Sequence, residues 1–314
     1  MNVVTAIAIK LVSTVLFAIM GALVRFVGEA VPVGQVVFFR SAFAILPVVT
    51  IYAWRGELKA AVRTGRPLGH VLRGLISVAG MFLNFAALAR LQLVDATAIS
   101  FASPLITVAL AAFILKERVR IFRWSAVGIG FFGVVVMLWP YLDVSRFTAG
   151  SAASTVGALC AMGAAFTNAG SVIQTRRLTD SETTSAIVFY FSFICAITGL
   201  CTLPFGWQNP SLPELAALIG IGILGGLSHI LLTESYRYAA ASVVAPFDYM
   251  AMLWAFLLGY AFFGELPNVH IFVGSLVVVA SGLFVLWRER RLGVERVRTS
   301  AIEGPPLGKI VKKP

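Results

Sequence analysis

Arg40, Asn84, Ser100, Thr107, His229, Asp248 and Tyr249 are side chains capable of polar chemistry that stand inside long apolar runs. Arg40 offers a planar fork of donors, suited to a carboxylate, a phosphate-like group or a polar ring oxygen. A structural ion pair or bonds to backbone carbonyls would also account for it. Asp248 follows Pro246, whose missing donor leaves carbonyls that can line a cavity. Asp248 could pair with Arg40, bind a substrate or take up a coupling proton, since burial disfavours a bare carboxylate. It fits the cap of a helix beginning near Pro246 equally well. Asn84 and His229 can hydrogen-bond a ligand across a cavity or bond neighbouring helices. Thr97, Ser100, Pro104 and Thr107 recur at spacings of three, four and three, which makes one polar stripe on a helix. Phe101, Tyr249 and Trp254 could stack on an aromatic ligand. With 24 phenylalanines in the chain, however, rings near any site are expected. Lys10 lies close enough to the end of its run to snorkel to the headgroups.

Catalysis finds no constellation. Ser228 and His229 are adjacent, and neighbours on a helix point about 100° apart, so they cannot bond each other as nucleophile and base. His270 falls on another run, and neither an HExxH motif nor paired membrane aspartates occur. The chain reads as not an enzyme. Cys160, Cys195 and Cys201 all fall in apolar runs without metal-ligand spacing, so no metal is expected. No P-loop is present, no ATP drives the protein directly, and no cofactor is expected.

The elements that must hold these residues are membrane spans. Of the 314 residues, 59% are hydrophobic and 12% charged, with a mean hydropathy of +0.91. Soluble domains average about 25% charged residues, so a pair of soluble domains is excluded. The net charge of +11 sits in short loops rather than on one face of a folded domain, so no nucleic-acid partner is expected. Ten apolar segments are legible: 4–24, 32–52, 71–91, 96–115, 124–139, 152–173, 185–204, 215–236, 242–263 and 269–287. Their length suits helices, since barrel strands need only about 10 residues and strict alternation. The first segment has no basic region before it, and Lys10 interrupts it, so it reads as a span and not a cleaved signal.

Lysine and arginine set the orientation. With the N-terminus cytoplasmic, twenty of these residues fall on the inner side, including Arg55, Arg73, Arg118, Arg176, Arg237 and the tail cluster Arg288–Arg298. Only Arg25, Arg90 and Arg146 fall on the outer side. Both termini are therefore expected in the cytoplasm. The tail, with Pro305 and Pro306, has no apolar period and is expected to be disordered and to anchor topology.

The chain also echoes itself. FILKE ends at Glu117 and FFGE at Glu265, 148 apart; Arg90 and Arg237 are 147 apart; VFFRS (37–41) and VFYFS (188–192) are offset by 151. The expected organisation is a first five-helix repeat over 1–146, a second over 147–287 and a basic tail over 288–314. Five is odd, so the repeats are inverted, the arrangement that lets one helix set rock against another around a central site. Glu117 and Glu265 then close equivalent turns. Gly157, Ala161, Ala165 and Ala169, and likewise Gly222 and Gly226, are expected to be close-packing surfaces.

VVFFRSAFAI (36–45), RPLGHVLRG (66–74), ISFASPLITVALAAFILKERV (99–119) and VVAPFDYMAMLWAFLLGYAFFGELP (243–267) together resemble the EamA family of the drug/metabolite transporter superfamily, over nearly all of 1–290. The pairing of FFRS with GRPLGHVLRG resembles the branch holding bacterial importers of riboflavin and S-adenosylmethionine. The resemblance implies an all-α integral membrane protein of ten transmembrane helices in two inverted five-helix repeats, with the third, fourth, eighth and ninth spans lining the cavity. It further implies a bacterial inner-membrane secondary transporter working by alternating access. Its partners would be the lipid bilayer and a small-molecule substrate, and it is compatible with a homodimer. Riboflavin uptake is the leading expectation, followed by S-adenosylmethionine uptake and then amino-acid or metabolite efflux.

Overall fold

The structure, a computed structural model, describes residues 3–54, 56, 63–114, 121–141, 149–179, 182, 184–238 and 245–302. Among them every regular element is helical: α1 (Val3–Val27), α2 (Val33–Trp54), α3 (Pro67–Arg90), α4 (Leu93–Ser100), α5 (Ala102–Ile114), α6 (Ile121–Leu138), α7 (Ala149–Thr179), α8 (Thr184–Leu200), α9 (Leu212–Tyr238), α10 (Met250–Phe263) and α11 (Val269–Ile302). Six stretches are long and apolar enough to cross a membrane: Val4–Val27, Pro67–Arg90, Leu93–Ile114, Trp124–Tyr141, Ala152–Thr175 and Leu212–Leu232. Four shorter apolar helices, Val33–Pro47, Ala186–Leu200, Phe247–Phe263 and Val269–Val285, accompany them.

Local chemistry sets the ends. α1 stops at Gly28, whose φ of +56° is easy only for glycine and whose N–H reaches the Val24 carbonyl at 3.0 Å. α3 opens on Pro67, in the first-turn position where a missing N–H costs nothing. The fourth apolar segment begins at Leu93 and bends at Phe101, instead of running straight from 96. Pro104 explains the bend, because its ring clashes with the carbonyl of Ser100 four residues back. The ninth segment opens with a 3-10 turn (Ala245–Tyr249) carrying Pro246 and Asp248, and only then becomes α10.

One expectation is overturned beyond Trp287. α11 continues as a helix to Ile302, where disorder was expected. The arginines, glutamates and leucine after Trp287 are good helix formers, and the apolar part of α11 supplies the costly nucleus. The turn glutamate Glu117, loop residues Arg55, Arg118, Arg120 and Arg146, and the tail from 303 lie outside the described residues.

Helix contacts follow a definite scheme. α1 packs on α9 and α3 on α7; α2 touches both α8 and α9, α3 also touches α8, α5 meets α7, α10 meets α1, and α6 lies along α11. Small residues permit the closest crossings. A Cβ at Gly222 would stand 2.8 Å from the Phe39 carbonyl oxygen, and one at Gly226 2.9 Å from that of Ala44, so α9 lies almost backbone to backbone on α2. Ala161, Ala165 and Ala169 are buried, and Gly157 abuts Leu91 and Arg90. The apolar side chains Phe132, Phe272, Leu276 and Phe284 on α6 and α11 point outward, away from the core.

Candidate functional site

Arg40 lies on the face of α2 that crosses α9, in the space Gly225 leaves open: a Cβ on Gly225 would stand 3.2 Å from its Nε. The side chain is 3% exposed, and its Nη1 is buried without a hydrogen-bond partner. Among the described residues no carboxylate pairs with it. Its guanidinium carbon rests 5.4 Å from the centre of the Phe191 ring on α8. Arg73 of α3 lies over the same ring at 5.3 Å, giving that phenylalanine two guanidinium neighbours. The two arginines differ in one respect. Arg73 is tied down, donating to Thr175 Oγ1 at 2.7 Å and to the Ile187 carbonyl at 2.9 Å. Arg40, among the described residues, makes no such bond, and the Phe191 ring, the Cys195 thiol and Gly225 are among its neighbours.

His229 of α9 joins this group through aromatic edges, 6.0 Å from Phe191 and 5.1 Å from Phe17 on α1. Phe17 belongs to a stripe of α1 with Lys10 and Thr14, spaced four and three residues apart and therefore on one face. That stripe leads toward α10. Thr14 accepts a hydrogen bond from the Trp254 indole at 3.2 Å, and Lys10 Nζ lies 2.5 Å from Asp248 Oδ1. Lys10 is 1% exposed, so it does not snorkel; the charge is retained inside because Asp248 meets it. Asp248 therefore pairs with Lys10 and not with Arg40, and the start of α10 carries no side-chain cap. Tyr249 packs its ring at 5.2 Å from Phe101, with its hydroxyl against Gly282 of α11, where only a glycine admits it.

The polar stripe on the fourth segment is used within its own helix. Thr97 donates to the Leu93 carbonyl, Ser100 to Thr97 and Thr107 to Ser103. Asn84, partly buried on α3, makes no hydrogen bond to a described residue. Arg73 is the residue that sequence reasoning missed, having counted it as a loop arginine. With α3 opening at Pro67, it stands six residues, about 9 Å, inside the helix. The RPLG start, a proline at a helix's first position, is the signal that could have found it.

Carboxylates bind the two ends of the bundle. Where α1 finishes, Glu265 accepts from Arg25 Nε at 3.0 Å and from the Leu93 N–H at 2.8 Å, capping α4 from beyond α10. At the other end Glu182 accepts from the Gly65 and Arg66 N–H groups at 2.9 and 2.8 Å and from Thr64 Oγ1 at 3.1 Å, with His70 Nε2 3.4 Å away. These donors outweigh the burial that works against its charge and hold its carboxyl below the usual range.

A profile of the EamA-like transporter family matches residues 4–139 and 155–287. The chain belongs to that family. Curated relatives run almost end to end with it. An S-adenosylmethionine uptake transporter of Rickettsia prowazekii (strain Madrid E) is 30% identical over 284 residues, 90% of this chain and 92% of the relative. A pseudopaline exporter of Pseudomonas aeruginosa (strain UCBPP-PA14) is 28% identical over 84% of this chain and 90% of its own. A riboflavin transporter of Rhizobium johnstonii (strain DSM 114642 / LMG 32736 / 3841) is 29% identical over 83% of each. A crystal structure superposes with a TM-score of 0.64 at 20% identity, covering 91% of this chain and 98% of that one, and shares the fold. Family membership and the apolar helices make this a multi-pass membrane protein and a small-molecule transporter.

Proposed function

We propose that this transporter carries a small metabolite bearing a carboxylate, S-adenosylmethionine first among those to test, by alternating access around Arg40. The observation that carries the reading is the buried Arg40 guanidinium with an unpartnered Nη1. An arginine at mid-membrane costs roughly 2.5–3.5 kcal/mol on insertion scales, and a cation–π contact returns only about 0.5–2 kcal/mol. A bidentate carboxylate supplied by a ligand would offset the rest. This reverses the order expected from sequence, because riboflavin has no carboxylate and S-adenosylmethionine has one. The aromatic edges of Phe17 and Phe191 around His229 suit a flat ring system, which keeps riboflavin as the second reading. Asp248, Tyr249, Asn84, Ser100, Thr107 and His229 are the accompanying candidates. Among them His229 lies with Arg40, while Asp248 and Tyr249 lie further along the α1 stripe.

The proposed architecture is ten spans in two inverted repeats, 1–146 and 147–287, each of five helices. The pairings of helices support it, since they come in exchanged equivalents: α1 on α9 with α7 on α3, α2 on α9 with α8 on α3, α10 on α1 with α5 on α7. The two stretches matching the family begin 151 residues apart, the offset that relates VFFRS to VFYFS. Both termini in the cytoplasm of a bacterial inner membrane, a bilayer partner and a homodimer complete the proposal. Cells unable to make S-adenosylmethionine, expressing this chain, test it by saturable uptake of the labelled compound. Membrane-localised protein giving uptake of riboflavin alone would replace the substrate, and labelled metabolite leaving the cells would reverse the direction.

A further inference from the structure

A buried carboxylate that the central site does not use stands in the first turn of α4. Asp95 is 3% exposed. One of its oxygens accepts the Tyr141 hydroxyl, and the other, Oδ1, is buried with no hydrogen-bond partner. Glu265, which follows α10, is near enough to act on it electrostatically, and Arg25 at the end of α1 reaches the cluster through Glu265. Arg25 is committed to Glu265 and to the Ala89 carbonyl. Among the described residues, no ionisable side chain other than Tyr141 bonds Asp95. Arg90 of α3 bonds Glu29 and Ala86, His270 of α11 turns to Asn268, α7 brings Cys160, and α5 brings none. Among the described residues the cluster holds two carboxylates, Asp95 and Glu265, against one guanidinium, and one bound proton is what balances that count.

We propose that Asp95 is a proton-binding site that couples proton uptake to closure of the bundle at this end. Its position gives the proton leverage. Arg25, Glu265 and the Leu93 N–H join α1, α10 and α4, while Tyr141, whose carbonyl accepts from Thr155, joins the end of α6 to α7. With the proton bound, Asp95 is neutral beside Glu265, and these helices stay together. When it leaves, two like charges face each other and favour separation. The chemistry of the site stands on its own, whereas its use for coupling rests on the transporter reading.

Two arms of one experiment separate the two. Infrared spectra of the purified full-length protein, titrated with acid, are expected to show a protonated carboxylic-acid carbonyl band that is absent in Asp95→Asn and present in Asp95→Glu. An unchanged band in Asp95→Asn overturns the site. In proteoliposomes clamped at zero membrane potential, an inward tenfold proton gradient is expected to give up to about tenfold accumulation of labelled S-adenosylmethionine, for one proton per substrate. Asp95→Asn is expected to keep substrate exchange and lose accumulation. Exchange and accumulation both equal to those of the natural chain overturn coupling through Asp95. No exchange by the natural chain overturns the substrate reading and leaves the infrared arm to decide the site.

Discussion

Replacing Arg40 with methionine separates a functional arginine from a structural one, because the two roles move stability and binding in opposite directions. Methionine fills much of the same volume without the charge. Arg40 has no carboxylate partner among the described residues, and its Nη1 is unbonded. The substitution therefore removes a burial cost of about 2.5–3.5 kcal/mol and a contact to Phe191 of about 0.5–2 kcal/mol. The balance leaves the protein about 0.5–3 kcal/mol more stable. Binding changes the other way. Losing a charged, hydrogen-bonded partner of a substrate carboxylate costs about 2–5 kcal/mol, and the middle of that range is a several-hundredfold rise in Kd. Thermal unfolding in detergent measures the first quantity and titration calorimetry with S-adenosylmethionine the second. A structural ion pair would have given about 3–5 kcal/mol of destabilisation. A lowered Tm together with a Kd within threefold of the natural chain would refute the reasoning.

Three more outcomes follow from the packing and charges. Gly226→Ala places a Cβ 2.9 Å from the Ala44 carbonyl oxygen, where the α9 and α2 backbones cannot yield, and is expected to cost about 1–3 kcal/mol, read as a lower Tm. Lys10→Met, Asp248→Asn and the pair together form a double-mutant cycle with an expected coupling of about 1–3 kcal/mol. That figure lies below the value for a fully buried pair because Asp248 is 49% exposed, and a coupling near zero would dismiss the pair. The Glu182 carboxyl is held below its unfolded value, so its contribution to stability is complete above about pH 4.3 and lost as pH falls through the lower folded value. The difference in Tm between the natural chain and Glu182→Gln is thus expected to be constant from pH 7 to 5 and to shrink below about pH 4.3. A difference that grows on acidification would contradict it.

The sequence revealed Arg40 and concealed Arg73, and the reason is positional. An arginine within VFFRSAF has no loop to belong to, whereas one in PLGHVLRG could be assigned to either side of a boundary that shifts by four residues. Buried apolar runs made the helices legible, and Gly222 and Gly226 marked a close-packing face on α9, though not that α2 fills it. Pairings across the chain stayed hidden because no local pattern encodes them. Lys10 meets Asp248 only because α1 lies along α10, and Trp254 meets Thr14 for the same reason. The expected Ser/Thr stripe is divided by the bend at Phe101, with Thr97 and Ser100 on α4 and Thr107 on α5, and its hydroxyls bond carbonyls of their own helix, a local option always open to serine and threonine. Asp95 was not singled out by the sequence at all, because its unbonded oxygen is a product of tertiary packing, with Arg25 bonded to Glu265.

Counterflow of labelled S-adenosylmethionine in proteoliposomes loaded with the unlabelled compound tests the central claim most directly, because it needs no gradient and no assumption about direction. A carboxylate site at Arg40 requires saturable exchange by the natural chain and none by Arg40→Met at equal reconstitution. Exchange that persists undiminished in Arg40→Met would contradict the placement of the substrate at Arg40.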